Sequence, residues 1–238
     1  MKPYVDIVGS GKNVTVLNSK IRNFTSAMIS GVGNSTISDL SIEINSTANF
    51  PTKTAMSCIE GACTDLEQVS IVVSSDSNSR QPLALLYDGS DAKITNTYIR
   101  TTGFNSGFSS AVTASLGTIN INQSELISVT SNSKTVTCWH CSLNISNAEI
   151  LSGGGEGIAV EENSGVDEIH IKRSSIQVFG GTAVFNPINN PIPVYISQSS
   201  LLSSSGSPVT IGDSIYCANS DNGEGKELDP DCTYMPDL

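Results

Sequence analysis

The chain has 238 residues and a formal net charge of −11, with 12 Lys and Arg against 23 Asp and Glu. That balance argues against nucleic acid or an anionic membrane as partner, since both are bound by basic side chains that displace counterions. No apolar run approaches the roughly 18 residues of a membrane span and no signal peptide opens the chain, so membrane insertion is not expected and the length suits one large all-β domain.

In chain order, one pattern recurs: VTVLNSKI (14–21), STISDLSI (35–42), TDLEQVSI (64–71), AKITNTYI (92–99), INQSEL (121–126), LNISNAEI (143–150), IHIKRSSI (169–176) and VYISQSSL (194–201). Taking Val16, Ile37, Leu66, Ile94, Ile121, Ile145, Ile171 and Ile196 as anchors, successive steps run from 21 residues (Val16 to Ile37) to 29 (Ile37 to Leu66). Apolar and polar residues alternate around each anchor, the period-two signature of a half-buried strand. Five positions past the anchors lie Ile21, Ile42, Ile71, Ile99, Leu126, Ile150, Ile176 and Leu201. If the units stack, each such column is a ladder of like side chains about 4.8 Å apart.

Two positions past the anchors lie Asn18, Asp39, Gln68, Asn96, Gln123, Asn147, Arg173 and Gln198, a mostly amide column expected to line a turn. A second strand signal follows in each unit, at Ala27, Ala55, Ala84, Ala111, Thr135, Ile158, Ala183 and Pro208. Loops of unequal length, the longest near Asn45 and Ser74, absorb the variation in period. The layout predicts a single-stranded right-handed parallel β-helix, a solenoid of about eight to nine coils over residues 1–215, followed by an acidic tail at 216–238.

At this point the chain resembles the pectin-lyase-like superfamily of secreted β-helix proteins. The opening KPYVDIVGSGKNVTVL resembles the early coil of bacterial β-helix repeat proteins and, more distantly, of pectinesterases. The C-terminal Cys217 to Cys232 segment resembles the disulfide-closed acidic tail of secreted bacterial repeat proteins. The resemblance covers essentially the whole chain. Since such proteins have an earlier coil and a cap ahead of the matching stretch, it implies a chain lacking both. It also implies that any enzyme would work on the outer face of a parallel sheet, through stacked carboxylates with calcium and a basic residue, or through paired acids.

The six cysteines fall into sequence-local pairs, Cys58 with Cys63, Cys138 with Cys141 and Cys217 with Cys232. This suits structural disulfides and an oxidising compartment, hence a secreted or cell-surface protein. Cys138-Trp139-His140-Cys141 also invites a redox or zinc reading, but a reactive dithiol needs a helix start and zinc needs four ligands. In the repeat register both local pairs fall at the same corner, as staples, leaving Trp139 and His140 beside one of them as a sugar-stacking platform. Asn-x-Ser/Thr sequons occur at Asn13, Asn23, Asn34, Asn45, Asn122 and Asn144, as expected by accident in so Ser- and Asn-rich a chain.

Two acidic groupings carry what chemistry the sequence offers. Stacking places Glu125 beside Glu149, with Tyr98 flanking, and adjacent coils supply the roughly 5 Å carboxyl separation of a retaining glycosidase. Glu156, Glu161, Glu162, Asp167 and Glu168 crowd the loops before His170, Lys172 and Arg173. No metal site and no cofactor are called for, calcium alone being compatible with those loops. The resembled enzymes' motifs are missing: no Gln/Asp-centred pectinesterase set, no paired-Asp and Gly-His polygalacturonase signature and no Asp-rich pectate-lyase pattern. The preferred expectation is a non-catalytic module, structural, adhesive or binding a polysaccharide or cell-surface glycan. The alternatives are a polysaccharide hydrolase or lyase using Glu125 and Glu149, and a filament subunit that self-associates head to tail through its β-helix ends.

Overall fold

A computed structural model describes residues 4–19, 27–46, 53–75, 82–103, 108–161, 167–187, 190–204, 208–209 and 214–232. Among these residues there is no helix, and the strands form two parallel sheets of 13 and 8 strands. The chain is a parallel β-solenoid with three strand faces per coil. The first face carries the anchors: Ile37, Leu66, Ile94, Ile121, Ile145, Ile171 and Ile196 lie opposite one another in successive strands. The second face stacks Ile42, Ile71, Ile99, Leu126, Ile150, Ile176 and Leu201. Met56, Leu85, Val112, Val136, Ile158 and Val184 stack on the third. All of these side chains are buried in one core. Branched aliphatics suit these columns because their stiff side chains pack well on a pleated surface.

The first repeat is in a different register from the expected one. Ile7, not Val16, pairs with Ile37, and Val16–Ser19 runs on the second face, with Val16 opposite Ser41 and Leu17 opposite Ile42. The first step is therefore 37 − 7, or 30 residues, in line with the later coils. Period-two alternation is shared by both faces, so VTVLNSKI fits either one and its pattern alone does not assign it. Asn18 lies opposite Glu43 rather than in the turn column; Ile21, with Lys20, Asn23 and Glu162, lies outside the described residues. The solenoid completes about six turns with all three faces present, slightly fewer than the eight to nine coils expected. Past Val184, among the described residues, the third face continues as one bridge to Val209.

The turn column is a conformational column. Asp39, Gln68, Asn96, Gln123, Asn147, Arg173, Gln198 and Asn219 all take left-handed backbone, with φ between 49° and 56°, which makes the sharp bend between the first and second faces. Asn and Asp tolerate that region best, and the amides also bond along the axis: Asn147 Nδ2 donates to Asn122 Oδ1 at 3.1 Å. The next residue inward is often a hydroxyl. Ser124, Ser174, Ser199 and Ser220 each donate to the carbonyl two residues back. Each also accepts the backbone N–H of the preceding coil, from Thr97, Ala148, Ser174 and Ser199. These buried serines thus satisfy N–H groups that the bend removes from the strand ladder.

Ile215–Ala218 is the last strand of the first face. Beyond it the chain folds over the end: Cys217 N donates to Pro230 O and Leu228 N to Ser220 O, with Leu228 and Cys232 buried.

Candidate functional site

Disulfides join Cys58 to Cys63, Cys138 to Cys141 and Cys217 to Cys232, with Cα separations of 5.7, 5.5 and 5.1 Å. Cys58 and Cys138 occupy one inward column, which runs Cys58, Tyr87, Ala114, Cys138, so the first two disulfides clip the same bend between the third and first faces. His140 has a backbone reason to be there. Gly89, Leu116 and His140 hold successive rungs of this bend with φ of 64°, 60° and 50°, and histidine is among the residues that enter the left-handed region most readily. Trp139 points outward, 46 % exposed, while Cys138 is fully buried.

The Trp139 side chain walls a groove of about 260 Å³ on the outer surface of the third face. Phe108, 47 % exposed, is its other ring. Thr113 and Thr137, opposite each other on adjacent strands, also line it, with the buried Ser109 and Ser110, whose hydroxyls bond to Thr130 Oγ1 and Val112 O. At one side the partly buried Lys134 ammonium pairs with the Glu161 carboxylate. Apolar rings, threonines and a fixed charge pair thus share one depression, a mixture of the apolar lining and few polar groups that small-molecule sites use. Phe108 and Lys134 are not among the candidates the sequence offers, and Glu161 is there only as one of the acidic residues before His170. The detectable signal was register: with Val112 stacked on Val136, Thr113 faces Thr137 and Lys134 starts the strand carrying Trp139.

Glu125 and Glu149 are paired residues on adjacent strands of the second face, and Tyr98 is the rung before Glu125. Both carboxylates are exposed. Tyr98 and Glu125 also edge a corner groove of about 440 Å³ whose other walls are Lys12 and the turn-column residues Gln68, Asn96 and Gln123, with Thr97. Lys12 comes from the first coil and reaches down the corner, its Nζ donating to Asn96 O at 2.6 Å. Glu149 lies outside that lining. Among the described residues the two carboxylates stand side by side on an exposed sheet face.

Among the described residues, the acidic side chains near 156–168 take separate partners. Glu161 pairs with Lys134, Glu168 Oε2 lies 2.9 Å from His170 Nε2, and Asp167 accepts from Ser142 Oγ at 3.5 Å. Among the described residues no group of three or more His, Cys, Asp or Glu is arranged to hold a metal ion. His170 instead begins an aromatic stack on the first face: its ring lies 5.0 Å from Tyr195, which lies 5.5 Å from Tyr216. These residues share the column one before the anchor, visible in IHIKRSSI, VYISQSSL and IYCANS once aligned.

Compared with known proteins, the chain matches no family model, no curated protein and no solved structure.

Proposed function

We propose that the protein is a secreted or cell-surface β-helix module of the pectin-lyase-like kind that binds a glycan without cleaving it. The observation that carries this reading is the Trp139–Phe108 groove: two exposed rings with threonines beside a held ion pair in one depression. The three disulfides support an oxidising compartment. The net charge of −11 favours a neutral glycan over an acidic one, which would need calcium to bridge like charges. Calorimetric titration with neutral and acidic oligosaccharides, with and without calcium, tests it: saturable binding to a neutral glycan that Trp139→Ala weakens at least about tenfold is expected, as for an anchoring aromatic. Binding that Trp139→Ala leaves unchanged would move the site elsewhere.

A second reading, a polysaccharide hydrolase or lyase, rests on the adjacency of Glu125 and Glu149 and the Lys12 ammonium near Glu125. Release of shortened or unsaturated fragments, abolished by Glu125→Gln with Glu149→Gln, would establish it.

A further inference from the structure

We propose that the Trp139 groove selects a sugar unit bearing an acetamido group over a plain hexose. The inference rests on the glycan-binding reading above and names the unit that enters. Two features of the groove carry it: an apolar lining, and a hydrogen-bond donor held beside an acceptor.

Besides Trp139 and Phe108 the lining includes Leu83, which lies opposite Ser110 on the adjacent strand. The hydroxyls of Ser109 and Ser110 are already engaged, with Thr130 Oγ1 and Val112 O, each at 2.9 Å. A sugar hydroxyl set against Leu83 and the two rings gives up its water without a replacement, and an unpaired polar group out of water is costly. A methyl group in the same place gains by leaving water. The depression of about 260 Å³ is just below the roughly 300 Å³ at which ligand pockets begin. It therefore admits one unit with its substituent, the rest of a chain lying outside.

The polar part of the groove is the pair of Lys134 with Glu161, both partly buried. One ammonium hydrogen goes to Glu161 Oε1, which leaves two N–H donors and the second carboxylate oxygen. Among the described residues no other side-chain bond uses them. Because each charge already has its partner, an entering uronate or protonated amine must compete with one of them. Glu156 and Glu162, close by in the sequence, and the net charge of −11 weigh further against an anion. An uncharged group that accepts from the ammonium and donates to the carboxylate disturbs neither. An amide does both, through its C=O and its N–H, and an acetamido group adds the methyl that the apolar lining takes. A hexose brings hydroxyls and no methyl. The same acetamido group ends an acetylated lysine side chain, a source that the test separates from a sugar.

Trp139 is the only tryptophan of the chain, so its fluorescence reports on the groove directly. The full chain is titrated with sugar pairs that differ at one carbon, N-acetylglucosamine against glucose and N-acetylgalactosamine against galactose. The corresponding amino sugars and an acetyl-lysine peptide are titrated beside them. In at least one pair the acetamido sugar is expected to shift the emission with a dissociation constant at least about tenfold below that of its hydroxyl partner. Lys134→Met with Glu161→Met removes donor and acceptor together and lowers that ratio. Leu83→Ser lowers it independently from another coil, and an unchanged circular dichroism spectrum shows that each variant is folded. Equal constants within every pair would overturn the acetamido preference and leave the glycan reading standing, whereas no response of the tryptophan to any sugar would remove both. Tighter binding of an amino sugar or of the peptide, or a ratio that survives in the folded variants, would also overturn the proposal.

Discussion

Tyr87 is fully buried between Cys58 and Ala114 in the column that also holds Cys138, and its hydroxyl has no hydrogen-bond partner. Burial, aided by the Asp65 charge, holds the phenol protonated far above its ordinary pKa of 10.0. Tyr87→Phe removes an unsatisfied polar group at nearly constant shape, so it is expected to leave stability unchanged or raise it by about 1 kcal/mol, read by thermal melting. The sign of the pH dependence follows from the raised folded pKa. The unfolded chain releases this proton above about pH 10 and the folded chain keeps it, so stability is full below pH 10 and falls by up to about 1.4 kcal/mol per pH unit above it. Tyr87→Phe lacks that part of the alkaline loss; an identical alkaline slope in both proteins would contradict it. Single residues were only partly legible. Glu125 and Glu149 could be paired from sequence because both stand four places past an anchor. Lys12 beside Asn96 could not, since 84 residues separate them and a side chain running down the corner follows no repeat.

At the scale of the coil, the bend between the first and second faces depends on two columns working together. One supplies left-handed backbone, the other a buried hydroxyl for the N–H that the bend displaces. Ser199 shows both contacts: its Oγ donates to Ser197 O at 2.9 Å and accepts from Ser174 N at 3.2 Å. Ser199→Ala strands the Ser174 N–H inside the core and is expected to cost about 1–3 kcal/mol in urea unfolding, whereas Ser200→Ala, on the outward column, costs less. Equal losses at the two sites would argue that the hydroxyl column is incidental. The amide column was visible in the sequence as a turn, because Asn, Asp and Gln recur there. The hydroxyl column beside it was not, since Ser is abundant throughout and only the structure separates inward from outward serines. The misassigned first repeat has the same cause: alternation reports that a strand exists and leaves its face open. The 21-residue first step, shorter than every later one, was the clue that the assignment was off.

For the whole molecule, a solenoid's stability is a sum of neighbouring coil contacts, so its ends fray before its middle. The Cys217–Cys232 disulfide spans 15 residues at such an end. Replacing both cysteines by serine is expected to cost about 3 kcal/mol, by the loop-entropy account. Amide exchange should quicken first in Ile215–Ala218 and Val194–Ser197 while Ser110–Asn122 stays protected. The Cys138–Cys141 link, separated by 3 residues, restrains far less of the unfolded chain and its loss should be milder. Fold class was legible because one buried aliphatic per strand per coil leaves a long-range periodicity. The groove was not, because Phe108, Trp139 and Glu161 come from three coils and share no motif. If the Trp139 groove holds a glycan and leaves it intact, binding and cleavage come apart in one experiment. The protein and its Trp139→Ala variant are incubated with a panel of neutral and acidic polysaccharides, with and without calcium, recording retention on the polymer and, by mass spectrometry over time, any released fragments. Retention by the parent protein, loss of retention by the variant and no fragments from either are expected; fragments accumulating with time, or no retention on any polymer, would rule out a non-cleaving glycan site there.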